Sequence, residues 1–159
     1  MKDCDIRLIN ATKIVIKGNP DNSFSVSDPD AVIDNTGRNA DIRSKASEIT
    51  IGLPTDGVEH IEVSCGDCEI SVKDLTFEQF ELDCDGNMKI DLGKISGRFE
   101  VNLSNASITV SVPSDLSFTT DTAGRDVEIA FGEGITPVED SETCIELNGR
   151  NSRMFIDRA

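Results

Sequence analysis

The stretch RFEVNLSNASITVSVP, residues 98–113, contains two short runs in which apolar and polar residues alternate. The apolar positions of these runs are Phe99, Val101, Leu103, Ile108, Val110 and Val112. Successive side chains of a strand point to opposite faces, so alternation over roughly four to eight residues is typical of a half-buried strand. Pro113 cannot donate to a β-ladder and is expected to end the second run. The stretch therefore predicts two short strands separated by a tight break.

The same pattern returns along almost the whole chain at a nearly constant interval. Copies open at Ile61, Phe80, Phe99 and Phe118, which are nineteen residues apart. Four further copies open at Ile6, Phe24, Ile42 and Ile145. A period of about twenty residues indicates a repeat architecture, because two short strands cannot bury a face alone.

Stacked copies would pair each strand with its equivalent in the next copy, at a spacing of about 4.8 Å. We therefore predict an all-β, single-stranded β-solenoid of about eight coils of 18–20 residues. It is expected to be right-handed, as crossovers between parallel strands normally are. One domain is expected to span residues 1–159, with 131–144 as a loop or capping excursion. The alternative is a sandwich of ordinary hairpins, which would require no constant period.

Position within the repeat predicts which side chains stack on one another. One inward ladder is expected to contain Ile42, Ile61, Phe80, Phe99 and Phe118, and another Ala46, Cys65, Cys84, Leu103 and Thr122. One outward row is expected to contain Arg43, Glu62, Glu81, Glu100 and Thr119, and the next Ser44, Ser64, Asp83, Asn102 and Asp121. Like charges directly opposite on paired strands are destabilising, so three glutamates in one row require a physical reason.

A bound Ca²⁺ ion would neutralise such a row through carboxylate oxygens. Its candidate ligands are Glu62, Glu81, Glu100, Asp83 and Asp121. The interpretation we favour is that water and salt screen these charges, while the excess charge keeps the protein soluble. No metal and no other cofactor is therefore predicted.

The segment Cys65-Gly-Asp-Cys68 is a single C-x-x-C motif, whereas a strong zinc signal requires two such pairs. Redox motifs of this form lie at helix N-termini, where the dipole lowers the thiol pKa, but this one lies between strands. Alternation directs Cys65 and Cys68 inward, and Cys84 is expected to stack on Cys65. We interpret these cysteines as small core residues. A metal site and a Cys65–Cys84 disulfide remain alternatives.

Charge limits the partners, because fifteen basic and thirty acidic residues give a net charge of −15. Nucleic-acid binding requires basic clusters that neutralise phosphates, and none is found. An anionic membrane surface would be repelled, and no apolar run is long enough to span a bilayer. The opening MKDCDIRLIN has no apolar core of a signal peptide, so a cytoplasmic location stays open.

His60 is the only histidine, so any Ser-His-Asp or Cys-His nucleophile system would have to use it. It is expected in a turn before Ile61, with no glycine-flanked nucleophile beside it. The chain contains no G-x-S-x-G motif, no phosphate-binding loop and no H-E-x-x-H motif. No catalytic residue is predicted.

Three segments resemble the bacterial putative adhesin family, in which strand pairs around a glycine are interrupted by a "VP" or "LP" dipeptide. They are ITIGLPTDGVEHIEVSCGDCEISV, FELDCDGNMKIDL and SITVSVPSDLSFTTDTAGRDVEIAFG. The resemblance covers roughly residues 40–159 and, more weakly, 1–40. It implies a β-solenoid on the bacterial cell envelope or surface, with no established activity. Bactofilin-like cytoskeletal solenoids are a second, weaker resemblance.

These observations favour a non-catalytic structural or adhesion-type module of a bacterial cell-envelope or extracellular surface protein, with a protein or a glycan as its partner. One alternative is a β-helical carbohydrate-active enzyme that uses Asp83, Asp85 or Asp121. The other is a bactofilin-like polymerising scaffold, because uncapped coil ends are templates for end-to-end pairing.

Overall fold

The computed structural model describes all residues, 1–159, and contains fourteen β-strands and no helix. The strands are β1 (Asp3–Leu8), β2 (Lys13–Asn19), β3 (Ser25–Val26), β4 (Val32–Asn35), β5 (Asn39–Ser44), β6 (Glu48–Pro54), β7 (Val58–Cys65), β8 (Cys68–Lys73), β9 (Leu75–Cys84), β10 (Met88–Leu92), β11 (Ile95–Ser104), β12 (Ser107–Val112), β13 (Thr119–Phe131) and β14 (Thr143–Arg158). The predicted all-β class is confirmed. Alternation accounts for it, since β10 and β12 each bury every second residue.

The strands form two runs that meet at β14. In hydrogen-bonding order, the first run is β4, β5, β1, β7, β9 and β11, and the second is β3, β6, β2, β8, β10 and β12. All pairs are parallel except the two that end the runs, β4 with β5 and β3 with β6. One cluster of 38 buried apolar residues draws on both runs, so they share a single core.

The middle of the predicted inward ladder is confirmed. Phe80 pairs in register with Ile61 on one side and with Phe99 on the other. All three side chains are buried, and the rings of Phe80 and Phe99 stack with centroids 5.0 Å apart. The nineteen-residue interval therefore describes real neighbours in this part of the chain.

The strand order differs from the chain order at both ends. Ile6 on β1 lies between Ile42 and Val63, so the expected contact of Ile42 with Ile61 is wrong. The copy at Phe24 forms the short antiparallel strands β3 and β4 instead of a parallel layer. A repeated interval fixes the phase of the alternation in each copy but not which copies become neighbours.

After β12 the order of strands in the sheet again differs from their order in the chain. The long strand β14 is inserted between β11 and β13, so Phe99 pairs with Ile145, and the expected contact of Phe99 with Phe118 is wrong. In the second inward ladder only the pair Cys65 and Cys84 is confirmed. Leu103 pairs with Gly149, Thr122 pairs with Leu147, and Ala46 lies outside the strands.

Strands β13 and β14 each pass from the first run to the second through a glycine corner. β14 pairs with β11 as far as Arg150 and with β12 from Arg153 onward. Gly149, at the corner, has φ of 142°, and a Cβ atom there would collide with the carbonyl oxygen of Leu103. Gly124 pairs with Gly149 and meets the same constraint. Only glycine tolerates both this dihedral angle and this approach of two backbones.

Candidate functional site

Acidic side chains form one continuous row across the first run. In order, the row contains Asp34, Asp41, Asp5, Glu62, Glu81, Glu100, Glu146 and Asp121, each the register partner of the next. We call this set the carboxylate row. Neighbouring strands are about 4.8 Å apart, so seven steps give a length of about 34 Å.

The second run shows that the fold does not require such a row. Its corresponding outward positions are Glu48, Lys13, Glu69 and Lys89, which alternate in charge from strand to strand. Opposite charges on neighbouring strands stabilise a sheet by roughly 0.2–1 kcal/mol per pair, whereas like charges oppose it. The like-charge arrangement is therefore a property of the first run and not of the repeat.

Neutral amides beside the row donate hydrogen bonds to its carboxylates. Asn102 Nδ2 donates to Glu81 Oε1 at 2.9 Å, and Gln79 Nε2 donates to Glu100 Oε2 at 3.2 Å. Asn148 Nδ2 donates to Glu100 Oε1 and, at 3.5 Å, to Glu146 Oε2. These bonds lower the repulsion between adjacent carboxylates without adding positive charge.

Arginine side chains reach the row at two places. Arg98 Nη1 lies 3.0 Å from Glu146 Oε1 and 3.9 Å from Asp121 Oδ2. Arg7 Nη2 lies 3.6 Å from Asp5 Oδ2. Glu146 is the buried member of the row, at 7% exposure, and its ion pair with Arg98 compensates the loss of water around it. Two guanidinium groups leave most of the eight carboxylates without a cationic partner.

Two members of the row, Glu100 and Glu62, hold their protons more tightly than isolated carboxyl groups do. The pKa of Glu100 is raised to about 7 by burial, by a hydrogen bond with Glu146, and by the negative charges of Glu146 and Glu81. The pKa of Glu62 is also raised, first by burial and then by Asp5 and Glu81. Glu100 therefore keeps its proton to a higher pH than an isolated glutamate does.

The predicted adjacency of Glu62, Glu81 and Glu100 is confirmed, but their surroundings differ from those expected. Asp5 and Glu146, not Arg43 and Thr119, continue the row at its two ends. Glu62 is exposed, as expected, whereas Glu81 and Glu100 are half-buried. Asp121 belongs to the row itself, as the partner of Glu146. Asp83 lies on the neighbouring row, where it accepts a bond from Asn102 at 2.7 Å.

Sequence reasoning missed Asp34, Asp41, Asp5 and Glu146, although two signals pointed to three of them. The tripeptide DIR occurs at residues 5–7 and 41–43, and these two segments are direct register neighbours. A glutamate preceded by Ile or Phe and followed by Val or Leu occurs at 61–63, 80–82, 99–101 and 145–147. Comparing these short motifs, rather than their intervals, would have placed Asp5, Asp41 and Glu146 in the row.

His60 lies within strand β7, not in a turn, and its side chain is 49% exposed. Its Nε2 atom is 4.0 Å from Glu78 Oε2, and the ligand atoms of Glu59, His60 and Glu78 all lie within 4.8 Å of one another. Two carboxylates and one imidazole could provide ligands to a divalent transition metal. The set is separate from the carboxylate row, since His60 pairs with Asp3 and Gln79 on the adjacent row.

The cysteines are placed as their alternation predicted. Cys65 and Cys68 are buried, and Cys84 is half-buried beside Cys65. All five cysteines are free thiols. Cys4 is also buried, and burial together with Asp5 and Asp41 raises its pKa to about 12.

Two solved structures are similar to this chain over nearly its whole length. One is a putative cell adhesion protein from Clostridium sporogenes ATCC 15579, with 14% identity, a TM-score of 0.46, and coverage of 99% of this chain and 92% of that one. The other is a putative adhesin from Bacteroides fragilis NCTC 9343, with 13% identity, a TM-score of 0.36, and coverage of 98% and 91%.

Other comparisons give no further relative. No family model and no curated protein matches this chain. The structure contains no helix long and apolar enough to cross a membrane.

Proposed function

We propose that this chain is a non-catalytic, adhesion-type β-solenoid module of a bacterial cell-envelope or surface protein, and that the carboxylate row is its binding surface. The observation that carries this proposal is the register of eight acidic residues along the first run, whereas the row Glu48, Lys13, Glu69 and Lys89 of the second run alternates in charge. The partner that fits is a protein surface with positive charges spaced along a line.

The solenoid part of the proposal is supported by the pairing of successive copies. In the first run, β7, β9 and β11 are parallel neighbours. In the second run, β8, β10 and β12 are parallel neighbours. Each of the six copies that form β1 to β12 thus contributes one strand to each run, around a shared core. That arrangement is expected of a coil that advances by one strand spacing per copy.

The binding part follows from electrostatics. Repulsion along the row destabilises the free protein, and a cationic partner would replace that repulsion with attraction. Complementary charge raises association rates and excludes acidic partners, which gives specificity without a deep pocket. A row about 34 Å long would accommodate a basic strand or several basic loops of one partner.

Two triple variants test this proposal, with binding measured at about pH 8.5 so that Glu100 is ionised in the wild type. One variant is E62Q/E81Q/E100Q, which neutralises the centre of the row, and its control is E48Q/E69Q/D91N, which neutralises three exposed carboxylates of the second run. Binding to immobilised polylysine would be measured at about 150 mM NaCl, where charges beyond about 8 Å are screened. The row variant is expected to bind about tenfold more weakly than its control. Equal losses would show that net charge alone attracts the probe, and would contradict the proposal.

Location is tested separately. Antibodies against this chain should label intact bacterial cells as strongly as permeabilised cells if the protein is on the surface. Labelling that requires permeabilisation would contradict the surface location while leaving the role of the carboxylate row intact.

One observation favours a carbohydrate-active enzyme as a second candidate. The raised pKa of Glu100 lets it hold a proton beside Glu146, and glycoside hydrolysis uses a carboxyl group with a raised pKa next to a second carboxyl group. The three aspartates that the sequence suggested as catalytic do not form such a pair. Asp83 lies on the neighbouring row, Asp85 lies in a turn, and Asp121 lies on β13. Release of reducing sugars from a polysaccharide panel, lost in E100Q, would support the enzyme. No release would leave the adhesion-type module as the interpretation.

The polymerising scaffold also has a specific observation behind it. Strand β13 pairs only with β14, so the other edge of its thirteen residues is open. An open edge is a template for pairing with another chain. Sedimentation velocity over a range of protein concentrations would show filaments if copies add end to end, and a single slow species if they do not.

A further inference from the structure

The C-x-x-C motif forms the turn between β7 and β8, where the first strand ends at Cys65 and the second begins at Cys68. The two Sγ atoms lie 3.6 Å apart, within reach of an S–H···S hydrogen bond. Both residues are buried, at 7% and 9% exposure, while Asp67 between them is exposed. The two thiols are therefore in direct contact just below an exposed turn.

We propose that Cys65 and Cys68 are a reversible dithiol–disulfide site that exchanges with low-molecular-weight disulfides. A disulfide requires an S–S distance of about 2.05 Å, so the sulfurs must approach by about 1.5 Å. The turn has room for this movement, since even a Cβ atom on Gly66 would find its nearest neighbour, the carbonyl oxygen of Asp85, 3.8 Å away. The adjustment involves two turn residues and leaves the ladders of β7 and β8 in place.

The two thiols have different surroundings. This difference indicates which thiol attacks first and which attacks second. The hydrogen bond between the two thiols lowers the pKa of Cys68, although burial and the charge of Asp67 oppose this effect. The pKa of Cys65 is raised by the same bond, by burial, and by Cys68, Cys84 and Asp83. The thiolate is the attacking species in exchange, so Cys68 reacts first and Cys65 second.

The exchange balances with oxidised glutathione as the oxidant. The Cys68 thiolate attacks one glutathione sulfur, the S–S bond of glutathione breaks, and one glutathione thiolate leaves. Cys65 then loses its proton and attacks the Cys68 sulfur of the mixed disulfide, which releases the second glutathione. Two protein thiols are oxidised to one disulfide, and one small disulfide is reduced to two thiols.

Cys84 is the competing thiol, because it is the register partner of Cys65 on β9. Its sulfur lies 3.2 Å from the carbonyl oxygen of Gly86, to which its thiol donates. Its pKa is raised to about 12 by burial and by Cys68, Asp67 and Asp85. A thiol that donates to a carbonyl and holds its proton this tightly is a poor nucleophile, so the bridge should form within the motif.

Peptide mapping of the native wild-type chain tests the proposal without any substitution. Trypsin releases residues 46–73, which contain Cys65 and Cys68 and no other cysteine, and residues 74–89, which contain Cys84. After incubation with oxidised glutathione, the first peptide should be lighter by two hydrogen atoms and should regain them on reduction. A cross-link between the two peptides, a glutathione adduct as the only product, or an unmodified pair would overturn the proposal.

Two single variants test the assigned roles. C65S should accumulate glutathione on Cys68, because no second thiol resolves the mixed disulfide. C68S should leave Cys65 unmodified over the same period, and C84S should form the bridge as the wild type does. A thermal melt of each variant checks that it is folded. Equal labelling of Cys65 in C68S and of Cys68 in C65S would contradict the order of attack.

Discussion

Glu100 on β11 and Glu146 on β14 are direct neighbours in register, and the side-chain amide of Asn148 donates to both of their carboxylates. Arg98 pairs with Glu146 on its other side, at 3.0 Å. The guanidinium group thus lies beside the buried Glu146, whereas Glu100 forms no ion pair. This contact is the place where pH changes the charge of the carboxylate row near neutrality.

We predict that stability decreases as pH rises from about 4.5 to about 7, the ordinary and the folded-state pKa of Glu100. The folded protein binds this proton more tightly than the unfolded chain does, so the destabilisation is absent below about pH 4.5 and complete above about pH 7. Because Glu100 is only half-buried, solvent screening limits the effect to about 1 kcal/mol, or about 2–4 °C in Tm. The difference in Tm between wild type and E100Q, followed against pH, measures it. A difference that is constant from pH 4.5 to 8 would show that Glu100 does not titrate as stated.

The remaining carboxylates should respond to salt in general rather than to calcium. Monovalent salt screens their repulsion, so a modest rise in Tm with NaCl is expected. We predict no further rise in millimolar CaCl₂ at matched ionic strength, because amides and Arg98 already occupy oxygens that an ion would need. A calcium-specific rise, abolished by E81Q, would turn the row into a metal site, since ligands that bind only the folded state stabilise it.

Truncation of Phe99 should be among the most damaging single changes in the core. Its ring is fully buried and stacks on Phe80. F99A is expected to lower the free energy of unfolding by about 3–5 kcal/mol, the usual cost of removing a buried aromatic ring. F155A is the matched control, because Phe155 is 40% exposed and should cost far less. Urea denaturation of both variants measures the two losses of stability. Similar denaturation midpoints would contradict the predicted core position of Phe99.

The glycine corner should be intolerant of any side chain. G149A would place a Cβ atom against the Leu103 carbonyl, at a φ that other residues rarely adopt. We expect a loss of at least about 1–3 kcal/mol, the usual cost of a strained backbone. G66A, where a Cβ atom meets only open space and one contact at 3.8 Å, serves as the control and should be nearly neutral in thermal denaturation. If G149A melts with the wild type, β14 does not turn at this residue.

The sequence alone predicted buried contacts correctly where copies that are neighbours in the sheet are also consecutive in the chain. Ile61, Phe80 and Phe99 lie on successive strands of the first run, so their nineteen-residue interval predicted both burial and contact. It failed for Phe118, because β14 lies between β13 and β11. Local alternation determines which face of a strand is buried, but neighbours are chosen by packing across the whole chain.

The chemistry of the candidate sites depended on such long-range contacts as well. Glu100 accepts a hydrogen bond from Asn148, which is 48 residues away along the chain. The contact of Cys65 with Cys68 required the conformation of the turn, whereas the interval alone suggested Cys84 as the partner of Cys65. Register predicts which residues face one another, but not where their side-chain atoms point.

The insertion of β14 between β11/β12 and β13 sets the order in which the chain can assemble. β13 is synthesised before its only partner, so it has no edge to join until Thr143–Arg158 has been made. Until then β11 and β12 also present open edges to other copies. A nascent or proteolysed chain that lacks β14 could accept this strand from a second molecule, which would give a swapped dimer. Strand β14 therefore governs whether one chain completes its own fold or exchanges strands with another.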